Sequence, residues 1–302
     1  MIEGQAMKQQ LKSLTQTQGF AVLTLVLGIL VIWYIAALLM NGNQMINMLE
    51  RTGQSWTYIQ VLQGAYSIQR PPLPVPHQVA MELYQSVFNQ AVTSRRSLVY
   101  HSMITLESTL LGFALGSLLG ILIAVGIVHN RTLDASLMPW VIASQTVPIL
   151  AIAPIVVVVL GSMNLTGVLP KAMISMYLSF FPVVIGMVKG LRSADKLHTE
   201  LMITYNASAQ QMFWKLRWFS AQPYLFASLK IAISAALVGA IVAELPTGAQ
   251  GGLGARLLSG SYYGQTVQIW AALVISALLG WALITLVGMA ERLVLNRRGL
   301  RG

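Results

Sequence analysis

A chain of 302 residues with 56% hydrophobic and 9% charged side chains, and a mean hydropathy of +0.67, has too little charge to cover a globule in water. Soluble domains carry about 25% charged residues, so a membrane class comes first. The net charge of +10 sits at the ends of apolar runs rather than along one stripe, which points to membrane orientation and away from nucleic acid. With no cysteine there is no disulfide or thiol chemistry, and four scattered histidines without HExxH spacing give no metal site.

Lys8 and Lys12 precede an uncharged run from Phe20 to Met40. As a helix it is about 31 Å long, enough for a hydrocarbon core of about 30 Å and too long for a cleaved signal segment. A retained first helix is expected, within an N-terminal part covering residues 1–70. A long polar segment follows, Asn41–Ser102, containing Arg70-Pro71-Pro72-Leu73-Pro74-Val75-Pro76. That composition favours extended, semi-rigid backbone, either as a lid or docking surface or as a tether into a surface helix.

Five further stretches have spanning length: Met103–Val128, Leu137–Leu160, Val168–Val188, Leu225–Leu245 and Ile269–Ala290. They define a core over 71–302 and an all-α membrane protein of six transmembrane helices. Pro139, Pro148 and Pro154 in the third span, and Pro170 and Pro182 in the fourth, require neighbours that satisfy the freed backbone groups, hence a packed bundle. Gly112, Gly116 and Gly120 fall on one helix face, as do Ala232, Ala236 and Ala240, and both sets permit close helix approach. With the N-terminus inside, twelve Lys and Arg lie in inner segments and six in outer ones, four of those six in the long first loop. Both termini are therefore expected on the cytoplasmic side.

The longest inner segment, 189–224, reads as a short, partly apolar helical element at the inner surface. Thr199 is a candidate cap, Met202, Ile203, Met212, Phe213 and Leu216 supply an apolar face, and Asn206 suits a left-handed break. Pro223 is expected to mark entry into the fifth span. From pattern alone, an amphipathic helix resting on lipid fits equally well.

This segment resembles the inner-loop motif of bacterial ABC importer permeases of the binding-protein-dependent type, E-A-A-x-x-x-G followed by phenylalanine and later prolines. Glu200 stands at the glutamate, Asn206 at the glycine, Ala207 and Ser208 at the frequent Ala-Ser after it, and Gln211, Phe213 and Pro223-Tyr224 at later positions. Leu201 and Met202 replace the alanines, and Phe219 stands where the first proline is usual. Leu73-Pro74-Val75-Pro76 before a glycine-rich span, and Ala243-Glu244 followed by Gly252-Leu253-Gly254, extend the likeness from Pro71 to the C-terminus. They resemble the nitrate, taurine and sulfonate branch.

The resemblance implies a type I importer-like bundle in the bacterial inner membrane, with Glu200, Asn206, Ala207, Ser208, Phe213 and Pro223 docking on a dimer of ABC ATPase subunits. It also implies a second permease copy, identical or similar, and a periplasmic or lipid-anchored solute-binding protein. No cofactor is expected in this chain: ATP and Mg would be held by the ATPase. No G-x-x-x-x-G-K-[ST] sequence and no credible nucleophile set occur, so no catalytic residue is expected.

Three charges fall in or beside spans. Glu107 is expected near the outer end of its helix. Lys230 is expected to snorkel to the inner end. Glu244 is expected to fix an outer mouth, together with Gly252 and Gly254, by accepting hydrogen bonds from the loop that also holds Pro246 and Gly248. The rival readings are an ion-gradient-driven secondary transporter and a non-transporting membrane scaffold. A pyrimidine-like heterocycle, nitrate, a sulfonate or taurine, and a vitamin precursor all stay open as solute.

Overall fold

The computed structural model describes residues 18–53, 55–245 and 251–296, and among these the regular structure is helical throughout. The chain forms two compact units: one comprises the described residues up to 85 with 260–271, the other 86–259 with those from 272 onward.

In the first unit, α1 (Gln18–Arg51) runs well past the expected end at Met40, because no proline interrupts Asn41–Arg51, and even a Cβ at Gly42 would only come into ordinary contact with Val61 of α2 (Tyr58–Ala65). The polar residue at the expected boundary is used inside the fold. Asn41 is fully buried, its amide nitrogen donating to Ala65 O (3.1 Å) and Leu73 O (2.9 Å) and its oxygen accepting from Leu73 N–H (3.2 Å). Trp33 Nε1 donates to Pro74 O (2.9 Å), and the Thr266 hydroxyl donates to Pro71 O (2.6 Å). The proline run is thus pinned along α1, and it leads into α3 (Pro76–Phe88).

The second unit is built on three helices, α4 (Leu98–His129), α7 (Val168–Arg192) and α10 (Trp218–Glu244). Gly112, Gly116 and Gly120 of α4 meet Ser175, Ser179 and Val183 of α7 in step, so these two helices run parallel; a Cβ at any of the three glycines would collide with α7. Ser179 Oγ donates to Gly112 O (3.3 Å) and Ser175 Oγ to Ala236 O (2.7 Å). Gly186 against Ser228 and Gly190 against Ala221 show α10 running antiparallel to α7. Ala232, Ala236 and Ala240 are fully buried. Small residues here let backbones approach until hydroxyls reach the next helix's carbonyls, which is how spanning helices associate without a hydrophobic drive.

The third expected span is not one straight helix. It is α5 (Arg131–Ser144) and α6 (Ile149–Ser162), bent by 100° at the break. Pro148 disfavours helical backbone at Val147, and it stands as the residue before α6. Pro139 and Pro154, by contrast, sit inside their helices. Helices long and apolar enough to cross a membrane number five among the described residues, or six with the bent pair as one.

Between α7 and α10 lie α8 (Lys196–Thr204), α9 (Ala209–Met212) and one widened turn, Phe213–Arg217, in which Trp218 N–H bonds Phe213 O. Ala209–Glu244 is one continuous rod, so Pro223 lies within α10 rather than at its entry. There its ring removes a single ladder bond. α11 (Leu253–Tyr262) and α12 (Thr266–Asn296) complete the chain.

Candidate functional site

The element between α7 and α10 is specified by its caps. Asp195 accepts Leu197 N–H (2.8 Å) to start α8. Asn206 ends it with a positive φ of 53°, while Ala207 N–H bonds Met202 O (2.9 Å) and Asn206 N–H bonds Ile203 O (2.9 Å). That is a Schellman close, with asparagine in the left-handed position that glycine usually takes. Ser208 starts α9 with a reciprocal pair: its Oγ accepts Gln211 N–H (3.3 Å) and its own N–H donates to Gln211 Oε1 (2.9 Å).

The widened turn after α9 anchors the element. Phe213 is buried among Ile127, Val188 and Leu191, edge-on to His129 at 5.1 Å between ring centroids and flanked by Trp214 and Trp218. α8 itself buries nothing. Leu197, Leu201 and Tyr205, four residues apart on one face, are 72%, 52% and 79% exposed. Glu200 and Ser208 are exposed beside them, and Ala207 is half-buried in the turn. The structure thus gathers Glu200, Asn206, Ala207 and Ser208 into one projecting element. It places Phe213 beneath that element as its root, and Pro223 exposed on α10 outside it.

At the far end of α10 is a buried polar cluster. Glu244 is fully buried; its Oε2 accepts Gly254 N–H (2.8 Å), and the Thr105 hydroxyl, 3.0 Å from both carboxylate oxygens, donates to it. Thr105 Oγ1 accepts Leu253 N–H (2.8 Å), and His101 Nδ1 accepts Gly252 N–H (3.0 Å) while Nε2 faces Arg95 O (2.9 Å). This pair of partners fits the neutral ring protonated on Nε2. Lys171 donates to Gly251 O (3.2 Å) and lies 3.9 Å from Glu244. Gly252, at φ 121°, and Gly254 leave no room for a Cβ beside Glu244. Residues 251–254 are therefore fastened to α4, α7 and α10 at once. Pro246 and Gly248 lie outside the described residues.

Sequence reasoning singled out Glu244, Gly252 and Gly254 but missed His101, Thr105 and Lys171. A signal was present for two of them: His101, Thr105, Ser108 and Thr109 form a polar stripe that continues into the glycine face at Gly112. Lys171, counted with the outer cations although it stands at the start of the fourth expected span, is in the first turn of α7 and buried. Lys230 pairs with Glu291 near the end of α12 at 2.5 Å.

The family model for the binding-protein-dependent transport system inner membrane component matches residues 116–299, more than half of the chain. The chain is 33% identical over 191 residues (63% of this chain, 76% of the relative) to a "Probable ABC transporter permease protein" of Haemophilus influenzae. It is 32% identical over 213 residues (69% and 78%) to the formylaminopyrimidine transport permease protein ThiX of Halalkalibacterium halodurans. It is 29% identical over 224 residues (74% and 80%) to the riboflavin transport system permease protein RibX of Chloroflexus aurantiacus. Together with its apolar spans, this makes the chain a member of the binding-protein-dependent transport inner membrane component family, an integral inner-membrane permease component of ABC importers and not itself an enzyme.

Proposed function

We propose that this chain carries a small polar solute across the inner membrane on energy delivered by a separate ABC ATPase, which docks on α8. The observation that carries the reading is the projecting element: a capped helix with Leu197, Leu201 and Tyr205 exposed on one face, rooted through buried Phe213. An exposed apolar face on a rigid root is what a partner cleft recognises. Lys189, Arg192, Lys196, Lys215 and Arg217 surround it, so this end faces the cytoplasm, as do both termini.

In this reading two permease copies engage two ATPase subunits. Closure of the ATPase pair on its own ATP and Mg draws the two α8 elements together and reshapes the bundles. A periplasmic or lipid-anchored binding protein delivers solute on the Glu244 side, where residues 251–254 shape the mouth. Relatives named for formylaminopyrimidine and riboflavin transport support a heterocyclic solute.

The test is purification of the tagged chain in mild detergent from its native membranes. Wild type brings down an ABC ATPase subunit and a solute-binding protein. Leu201→Asp with Tyr205→Asp retains fold and binding protein but loses the ATPase. Undiminished ATPase with the double variant would overturn docking at α8.

A further inference from the structure

The break between α5 and α6 carries more irregular backbone than a proline kink needs. The N–H groups of Val147, Ile149 and Leu150 and the carbonyls of Gln145, Thr146 and Val147 make no backbone hydrogen bond among the described residues. The Gln145 side-chain amide makes none either. Gln145, Thr146, Val147 and Pro148 are all exposed on this chain.

The depth of the break follows from one bond. The Tyr177 hydroxyl of α7 donates to Ser144 O, the last residue of α5, at 2.5 Å. Tyr177 lies nine residues after Val168 and fifteen before Arg192, about 14 Å and about 22 Å along α7. The length of α5 gives the same level, since it climbs about 20 Å from Arg131, whose end is tied to that of α7 by the Arg192–Asp134 ion pair (2.7 Å). With a hydrocarbon core of about 30 Å centred on α7, the break lies about 10 Å inside its outer edge.

Unpaired backbone and a free amide at that depth cannot face lipid, where each unsatisfied group costs several kcal/mol. Non-helical backbone persists in a membrane only inside protein or against a water-filled cavity. Among the described residues nothing covers it. Resting on the importer reading proposed for this chain, we infer that Ser144–Pro148 lines the solute path and is a contact site for a small uncharged solute bearing both hydrogen-bond donors and acceptors. The site offers both kinds of group and no charge: free N–H groups, free carbonyls and the Gln145 amide, while the Thr146 hydroxyl, which donates to Ala143 O (2.8 Å), can only accept. An amide or amino-substituted heterocycle matches that edge, whereas a bare anion would leave the carbonyls unpaired.

The chain has no cysteine, so Gln145→Cys and Thr146→Cys each create a single thiol. The probes are membrane-impermeant cationic and anionic methanethiosulfonates, applied to native-membrane vesicles of both orientations without ATP. Trp281→Cys, on the exposed apolar side of α12, is the comparison. Both break cysteines are expected to react at least about tenfold faster than Trp281→Cys, because only a hydrated thiol ionises readily. The two reagents should differ by no more than about threefold, as suits an uncharged site. Val147→Cys serves should either variant fail to assemble. Thiols unreactive from both sides would place the break against lipid or a second copy and overturn the path. A strong preference for one reagent charge would overturn the uncharged solute. Labelling needs no ATPase, so loss of the importer reading would show separately, as missing ATPase in the purification.

Discussion

The Phe213 ring meets the His129 imidazole edge-on at 5.1 Å, joining the root of the projecting element to the last residue of α4. The end of α4 and the widened turn that leads into α10, far apart in sequence, therefore share one aromatic joint.

Phe213→Ala should open a cavity in that joint and lower stability by about 3 kcal/mol, the usual range for a buried phenylalanine. Thermal unfolding in detergent would read this as a depressed Tm, and ATPase retention should fall with it. Phe213→Leu, which refills most of the volume, should recover most of the Tm.

Asn206 holds a left-handed backbone, so Asn206→Gly should be neutral or slightly stabilising, while Asn206→Val should cost about 1–2 kcal/mol locally. Hydrogen exchange is the measurement: faster exchange confined to 196–212 in the valine variant, with α4 and α7 unchanged. Uniform exchange across the chain would argue that the turn is not a local specifier.

Glu244→Gln keeps the shape but weakens the acceptor for Gly254 N–H and Thr105, whereas Gly254→Ala drives a methyl into the Ile241 carbonyl. The glutamine variant should assemble with reduced transport. The alanine variant should give little folded protein, since backbone has nowhere to move. Full transport by Glu244→Gln would show that hydrogen bonding without charge suffices to hold the loop.

Lys230→Met leaves Glu291 without its partner inside the bundle and should destabilise more than Lys230→Met with Glu291→Leu together. A double-mutant cycle on the unfolding midpoint checks it. Additive effects would mean the pair does not couple α10 to α12.

Much of the fold is legible in the sequence, and for physical reasons. Apolar length marks spans, so α4, α7, α10 and α12 fall where expected apart from their ends. The left-handed turn at Asn206 follows from residue chemistry, and Glu244 with its glycines follows from a charge beside flexible backbone. Three things are hidden. Pro148 breaks its helix while Pro139, Pro154 and Pro223 do not, and only the surrounding packing decides which. The burial of Lys171 depends on Glu244 and Gly251, some 70–80 residues away, and no local pattern announces it. The exposure that separates Leu201 from Phe213 is equally invisible, since both are simply apolar letters at helical spacing.

The unbroken run from Ala209 to Glu244 has a mechanical consequence. At 36 residues it is a shaft of about 54 Å, with the projecting element at one end and the clamp on residues 251–254 at the other. Along the shaft the regular winding is altered at Phe213–Arg217, whose ring is wider, and at Pro223, which removes a ladder bond. If the shaft moves as the proposed coupling requires, those five residues, Phe-Trp-Lys-Leu-Arg, set how much of a movement at its foot arrives at residues 251–254.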